Sequence, residues 1–519
     1  MRIFIVVVTL IFSSWLMWHT FSYDAKTSSM LISDKVWSDF GGHLPLVRSF
    51  SLGANWPPEN PLFPGERIRY HFLFYALVGF LERIGLRIDW AMNIPSVLGF
   101  WGLLILIYAL AKKLFASSWA GILAIILFVF NGSLSWVQFF LKHGWTWAAV
   151  KQITSNGSYP SFGPWDGGQI AAAWNLNLYT NQRHLAPGMA LALLVIYIIN
   201  FRKIHPVFLG VIIGFLIFLN GAIFAGLGIF LLWHFIFNKK DWKYLIISGL
   251  CTLPWFALSR LLISANNNIV FKPGFLMNDQ LTVLNFINFW WQNLGLYLIL
   301  LPLALIVIPK NLLKLIFPVL TLFAIVNLWQ LSPDIFNNHK LLNLDMTIMV
   351  IMVAGLLLKL WSHKFTKLLV PIFLFFLIIS GVIDFFALKN DHKLTLTDKT
   401  NSDIVFVQEH IPAQAVVLNS TWFYHPASLA GRPIYNGYTY FTWSHGYDSY
   451  GRENILKNIY EASSKNIACT LLKENNISYV ELANQPEGYI HPDWVQWAGW
   501  KIDYQSSERR FFSVEKNCS

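Results

Sequence analysis

The chain is 519 residues long, 55% hydrophobic and only 13% charged, with a mean hydropathy of +0.49. A soluble globular domain carries about twice that charged fraction, so the composition excludes a soluble protein and calls for a polytopic membrane one. The formal charge of +11 requires no nucleic-acid partner, because Lys and Arg at cytoplasmic helix ends facing anionic lipid produce it.

Arg2 and the apolar run Ile3–Phe21 lead to no small-x-small cleavage site, and read as a retained first span with a cytoplasmic N-terminus. Next comes Val36–His71, too polar to cross a bilayer and crowded with Asp39, His43, Arg48, Glu59, Glu66, Arg67, Arg69 and His71. Its middle, Asn55–Gly65 (NWPPENPLFPG), holds four prolines and is expected to form a stiff, extended strap. Tyr70–Ile84 is too short to span comfortably and ends among Glu82, Arg83 and Arg87; an interfacial helix on the outer surface is expected. Ile94–Leu114, closing on Lys112 and Lys113, is the second span.

Ser117–Phe140 then crosses outward, residues 141–184 form a second external loop, and Leu185–Phe201 returns to Arg202 and Lys203. Pro206–Phe237 is expected as a tight hairpin turning near Asn220-Gly221. Trp242–Ile263, Phe286–Ile308, Leu312–Leu331, Leu341–Trp361 and Leu368–Leu388 bring the count to about eleven spans. Lys239, Lys240, Lys243, Lys310, Lys314, Lys364 and Lys367 then fall on the cytoplasmic side, as the positive-inside rule requires. From about Lys389 polar residues return. Helices are expected at Ser402–His410, Glu453–Ser463 and Ala468–Asn475, and strands at Ala415–Leu418, Ile477–Leu482 and Phe511–Val514. The expected fold is an all-α polytopic membrane domain (1–388, with external loops 22–92 and 141–184), followed by a small extracytoplasmic α/β domain (389–519). Cys251, Cys469 and Cys518 show neither metal spacing nor a disulfide framework, and a bond between the last two is left open.

Asp39 is the sharpest chemical candidate. It stands between Trp37 and Phe40, and Gly41-Gly42 after it allow close backbone approach. A carboxylate at an apolar boundary has its pKa raised by desolvation, which suits a general base for a hydroxyl; the alternative is a helix cap or a solvated loop acid. Arg67, Arg69 and His71 either bind a phosphate or snorkel to lipid headgroups. The turns Asn181-Gln182-Arg183-His184 and Asn337-Asn338-His339-Lys340 add basic groups on the same side. They read as interface anchors singly and as a headgroup pocket together. Asp166, in FGPWDGGQ, is a metal or acceptor ligand or else a turn acid. The aromatic stretches Leu429–Trp443 and Ser444–Arg452 are an acceptor surface or membrane-facing packing.

The layout resembles the GT-C superfamily of polytopic glycosyltransferases that use polyprenyl-phosphate-linked sugars, such as protein mannosyltransferases and the lipid A aminoarabinose transferase. Asp39, the strap Pro57–Pro64, the helix Tyr70–Ile84 and the run Ile94–Phe115 (IPSVLGFWGLLILIYALAKKLF) carry the resemblance, which covers roughly Met1–Leu388. It implies an inverting sugar transfer at the extracytoplasmic face of the plasma (inner) membrane, from a polyprenyl-phosphate donor to a glycan, lipid or protein acceptor. Asp39 would be the base. The resemblance carries over no other residue: His43, Glu59, Arg69, His71, Asp166, Arg183, His184, His339 and Lys340 are candidates for holding substrate on physical grounds, and no motif fixes them. A divalent metal, Mg or Mn, is the implied cofactor, although the first loop has no Asp-x-Asp or Glu-x-Asp. The rivals are a transporter or flippase of lipid-linked glycans and a non-catalytic assembly protein. Against the transporter, the spans are almost free of ionisable residues, with Arg260, Asp345 and Asp384 towards their ends.

Overall fold

A computed structural model of the chain describes residues 2–161, 163, 166, 168–169, 176–264, 269–277, 279–307 and 314–518. The protein is mostly helical, with a small mixed sheet near the C-terminus. Every one of the segments expected to span carries helix. Among the described residues five helices are long and apolar enough to cross a membrane, Ile3–Thr20, Ile88–Phe115, Lys239–Leu262, His339–Ser362 and Leu369–Lys389; a bent pair makes a sixth, and five shorter apolar helices accompany them. His339–Ser362 is apolar almost all round and lies at the centre of the bundle, buried from Leu341 to Leu357.

Two expected spans are broken. Ser117–Phe140 divides into Ser118–Val129 and Ser135–His143. The break at Asn131–Leu134 is held by Ser380, whose hydroxyl donates to the Ser133 carbonyl (2.6 Å) and accepts from the Trp136 N–H (3.1 Å). Phe286–Ile308 becomes Val283–Leu294 and Tyr297–Val307, bent by 89°. The bend passes through Gly295 at φ +54°, a backbone state that glycine adopts without a Cβ clash. Ile308 and Lys310 lie outside the described residues, as does much of 162–175. The turn at Asn220 is as expected, between Pro206–Leu219 and Gly221–Phe237.

The polar stretch after the first helix is folded into helix and strand over most of its length. Asp34–Ser51 is an 18-residue helix, which buries Val36, Phe40, Leu44 and Val47 along one face. Gly41, Gly42 and Pro45 all argue against a helix locally, and packing overrides them. The strap continues from it with a short antiparallel hairpin, Glu59–Asn60 against Phe63–Arg67, and the interfacial helix is Leu73–Arg83.

Three connections tie this region to the chain beyond the last membrane helix. Ser29–Ser33 pairs antiparallel with both Phe21–Asp24 and Lys393–Thr397. Arg48 reaches Asp398 at 2.9 Å and Glu82 at 3.4 Å. A hydrophobic core is shared between the first polar segment and the C-terminal region, running from Phe40 and Tyr75 to Phe441 and Phe511. The C-terminal region has a second core of its own around Leu456, Trp497 and Phe512. Its sheet runs Tyr504–Gln505, Arg509–Ser513, Tyr479–Ala483, Val417–Leu418, with only the last pair parallel. Cys469 and Cys518 are disulfide-bonded, which closes the C-terminal end onto the helix Lys465–Glu474.

Candidate active site

Five separate parts of the chain meet around one cavity of about 90 Å³, the hairpin and the residues after it bringing Asn60, Leu62, Ile68 and Tyr70. The helix Asp34–Ser51 contributes Asp39 and His43, and the turn before Leu185–Phe201 contributes Gln182. The segment before the central helix contributes Asp334, that helix's first turn Lys340, and the C-terminal region supplies Tyr440 and His445. Asp39 and His43 are four residues apart on one helix, so both project to the same side.

Asp39 is half-buried. Burial pushes its carboxyl up to about 6; the nearby Lys340 ammonium opposes the rise and the Asp334 carboxylate adds to it. Among the described residues no hydrogen bond contributes to holding it charged. Lys340 is 6% exposed, lies 5.5 Å from the centre of the Tyr70 ring and donates to Asn337 Oδ1 at 3.1 Å. Asp334 accepts from the Tyr440 hydroxyl at 2.9 Å. A basic side chain therefore faces two carboxylates inside a partly dehydrated space, where charge interactions are stronger than in water.

His43 and His445 line the cavity, and two further imidazoles, His71 and His184, pack against its lining residue Tyr70. His71 stacks between Tyr70 (3.7 Å between ring centres) and His184 (4.0 Å), and His445 stacks on the other part of Tyr70 at 4.3 Å. His184, fully buried, lies within hydrogen-bonding distance of the hydroxyls of Tyr75 (2.7 Å) and Tyr70 (3.4 Å). Burial drives all of these imidazoles towards the neutral form: His43 and His445 down to about 3, and His71 and His184 well below the usual histidine range. Neighbouring cationic groups, Lys340 among them, push the same way.

The remaining expected residues are placed differently. Arg183 is 1% exposed and points into the helix bundle. It donates to Thr180 O (2.7 Å), Asn93 Oδ1 (3.1 Å), Met17 O (3.2 Å) and Thr20 Oγ1 (2.9 Å), so its donors fasten the first span to its neighbours. Arg69 holds the C-terminal domain: its guanidinium donates to the Gly446 carbonyl, pairs with Glu66 at 2.7 Å and lies 4.7 Å over the Tyr447 ring. Glu59 accepts from Gly65 N–H at 2.7 Å within its own hairpin. Asp166 is exposed and accepts from the Gly168 N–H at 2.9 Å, as a turn acid does. His339 is buried beside Lys340, close enough to disfavour charge on His184.

Sequence reasoning passed over Asp334, Tyr70, Tyr440 and His445. Asp334 stands three residues before the Asn337–Lys340 turn, and His445 lies inside the aromatic stretch already singled out. Segment-level signals existed. What was missing was the fold that brings one side chain from each to a common point.

One group among the described residues has metal-ligand geometry: Asp34, Asp391 and His392, with ligand atoms within 4.8 Å of one another. It does not fit a catalytic divalent ion. Asp391 is already paired with the Lys35 ammonium (2.8 Å), the Lys35 N–H (3.0 Å) and the Ser33 hydroxyl, and none of the three lines the cavity.

No protein-family model and no curated protein matches the sequence. Solved structures do match the fold. ArnT from Cupriavidus metallidurans in the apo state aligns over 99% of this chain and 98% of its own, with a TM-score of 0.50 at 10% identity. The mycobacterial arabinofuranosyltransferase AftD aligns over 98% of this chain and 41% of its own, with a TM-score of 0.54 at 14% identity. Over nearly its whole length the chain therefore shares the fold of these two structures.

Proposed function

We propose that the protein is an integral-membrane, inverting glycosyltransferase, with Asp39 as the general base and a polyprenyl-phosphate-linked sugar as donor. The observation that carries this reading is a carboxylate without donors, raised to about 6, in the same cavity as a buried lysine. Asp39 would accept the proton of an acceptor hydroxyl. The oxygen then attacks the anomeric carbon as the bond to the phosphate oxygen breaks, and the electron pair leaves with the phosphate. Lys340 faces the negative charge that develops on that leaving group, a role worth several kcal/mol in a dehydrated site. Arg69 acts at one remove, by holding the C-terminal domain and its His445 in place. The acceptor is a glycan, lipid or protein hydroxyl, and membrane lipids surround the helices.

The Cys469–Cys518 bond supports an extracytoplasmic C-terminal domain, because disulfides persist in oxidising compartments. The pairing of Ser29–Ser33 with Lys393–Thr397 places the first polar segment beside that region. The test is binding and transfer by purified protein in detergent. Wild type should bind undecaprenyl phosphate. Lys340→Gln should weaken binding at least tenfold, and Asp39→Asn should bind normally and fail to transfer from a polyprenyl-phosphate sugar. Normal transfer by Asp39→Asn would sink the assignment.

One observation favours the transporter reading. Asp345 is fully buried in the central helix with neither carboxylate oxygen hydrogen-bonded among the described residues, and ionisable groups inside a span often mark a transport path. If Asp345→Asn abolished movement of a fluorescent polyprenyl-linked glycan across proteoliposomes while Asp39→Asn left it intact, that reading would replace the first.

A further inference from the structure

The cavity gathers two carboxylates, Asp39 and Asp334, and three side-chain amides, Asn60, Gln182 and Asn337. Carboxylate and amide oxygens are the donors that Mg²⁺ and Mn²⁺ take, so this oxygen set alone would suit a divalent ion. One further group in the lining does not. Lys340 is the one Lys or Arg there among the described residues. An ammonium has three donors and no lone pair to offer a metal, and it repels a second cation placed beside it. A resident divalent ion therefore does not fit these residues as they stand.

Lys340 is also held in place. It is the second residue of the central helix His339–Ser362 and is buried. Its Nζ donates to Asn337 Oδ1 at 3.1 Å, which engages one of the oxygens that a metal would need. It lies 5.5 Å from the centre of the Tyr70 ring, within reach of a cation–π attraction. That ring is itself packed against His71 (3.7 Å) and His445 (4.3 Å). Asp334 accepts from the Tyr440 hydroxyl at 2.9 Å, and both carboxylates attract the ammonium.

We propose that the Lys340 ammonium is the built-in cation of the cavity, standing where a divalent metal ion would otherwise bind, and that the protein handles its phosphate-linked donor without a metal. This rests on the reading of the cavity as a donor-phosphate site and deepens it by naming the cation. The consequence is specific. Without the ammonium, Asn337 Oδ1 loses its donor and the two carboxylates lose the positive charge near them, so the oxygen set becomes open to a divalent ion. Lys340→Met keeps an unbranched apolar stem and offers no oxygen or nitrogen ligand of its own.

The experiment follows Mn²⁺ by its electron paramagnetic resonance signal, with full-length protein in detergent after dialysis against EDTA. Wild type should bind no Mn²⁺ in the cavity, and should hold undecaprenyl phosphate equally well in EDTA and in Mn²⁺. Lys340→Met should gain a Mn²⁺ site about tenfold or more tighter than any in wild type. Mn²⁺ should also restore part of the lipid binding that this variant loses. Adding Asp39→Asn to Lys340→Met should abolish the new site, which assigns it to the cavity rather than to Asp34, Asp391 and His392.

Mn²⁺ binding by wild type that disappears in Asp39→Asn overturns the proposal, as does lipid binding that EDTA abolishes and Mn²⁺ restores; both leave the donor site standing. A Lys340→Met protein that unfolds cooperatively like wild type and gains no Mn²⁺ also overturns it. If that variant does not fold, the two wild-type measurements decide. Failure of wild type to bind undecaprenyl phosphate under any condition removes the donor reading, while the Mn²⁺ titrations still judge the cation.

Discussion

Glu481 and Asp39 are both acids withdrawn from water, in surroundings of opposite design. Glu481 lies fully buried on an inner strand of the C-terminal sheet. Its Oε2 accepts from the Ser420 N–H (2.8 Å) and hydroxyl (2.9 Å) and pairs with His425 Nε2 at 3.2 Å; its Oε1 pairs with Arg509 Nε at 3.2 Å. Burial pushes this carboxyl up, but His425, Arg509 and Ser420 outweigh it and hold the group below the ordinary glutamate range. Asp39 has no such donors, and burial prevails. A buried acid surrounded by donors holds a fold together. One denied them keeps its affinity for a proton, and that is what a base requires.

The largest effect expected from this contrast is at Asp39. Asp39→Asn should lower sugar transfer by about 10²–10⁴-fold, the usual contribution of a general base, without loss of folded protein. The sign of the stability change comes from the raised pKa. The folded state holds its Asp39 proton more tightly than the unfolded chain, so this group favours folding at low pH, and that contribution is lost as pH rises through about 6. A rise from 3.8 to about 6 corresponds to about 3 kcal/mol at full strength, and to about half of that for a side chain still partly exposed. At pH 7 the asparagine variant should therefore be as stable as wild type or more so, by up to about 1.5 kcal/mol. Wild-type transfer should rise with pH through about 6. Thermal unfolding in detergent at pH 5 and pH 7, beside transfer rates, checks both parts; a variant destabilised at pH 7 would make Asp39 a structural acid like Glu481.

Glu481→Ala should do the reverse. It removes the acceptor of the buried Ser420 N–H and hydroxyl and the partner of the buried His425, while the half-buried Arg509 keeps Asp403 (3.4 Å) and Glu508 (2.8 Å), a loss of about 1–3 kcal/mol. The lowered pKa also sets its sign: the stabilisation is present above the ordinary glutamate pKa and disappears as pH falls below it. Amide exchange across Tyr479–Ala483 should accelerate in the variant at pH 7, and in wild type only in acid. Transfer per folded molecule should stay near normal. If exchange in that strand is unchanged, the network around Glu481 contributes little to the fold.

The two sites were unequally legible in the sequence. Asp39 could be found because an acid in an apolar, glycine-flanked stretch after a first span is conspicuous one residue at a time. Its secondary structure could not, since Gly41, Gly42 and Pro45 speak against the helix that tertiary packing imposes. The long apolar helices were readable from length alone, as were Ser402–His410 and the turn at Asn220. The breaks at Asn131–Leu134 and Gly295 were not, because each depends on a partner elsewhere in the fold or on a backbone angle. Glu481 was invisible for a related reason. Ser420, His425, Glu481 and Arg509 are separated by up to 89 residues, and no local pattern relates them.

The smallest effect expected lies where the two regions touch. A Cβ at Gly41 would stand 2.6 Å from Cδ1 and 2.8 Å from Cε1 of Phe423, and one at Gly42 would stand 3.3 Å from Phe441. The helix bearing Asp39 is thus seated directly on aromatic rings of the C-terminal domain. Gly41→Ala removes a helix-disfavouring residue, worth about 1 kcal/mol, and forces the Phe423 ring aside at about 1–3 kcal/mol. The two nearly cancel, so stability should move by no more than about 2 kcal/mol. The cavity is affected more, because Tyr440, Phe441 and His445 belong to the segment that Phe423 packs against, with Phe423 and Phe441 rings 5.8 Å apart. Transfer should fall about 3–10-fold, mostly through KM if the acceptor enters between the helix and those rings. Gly42→Ala, with its looser 3.3 Å contact, should fall less. Equal activity in wild type and both variants would show that the docking of the two regions is independent of the chemistry at Asp39.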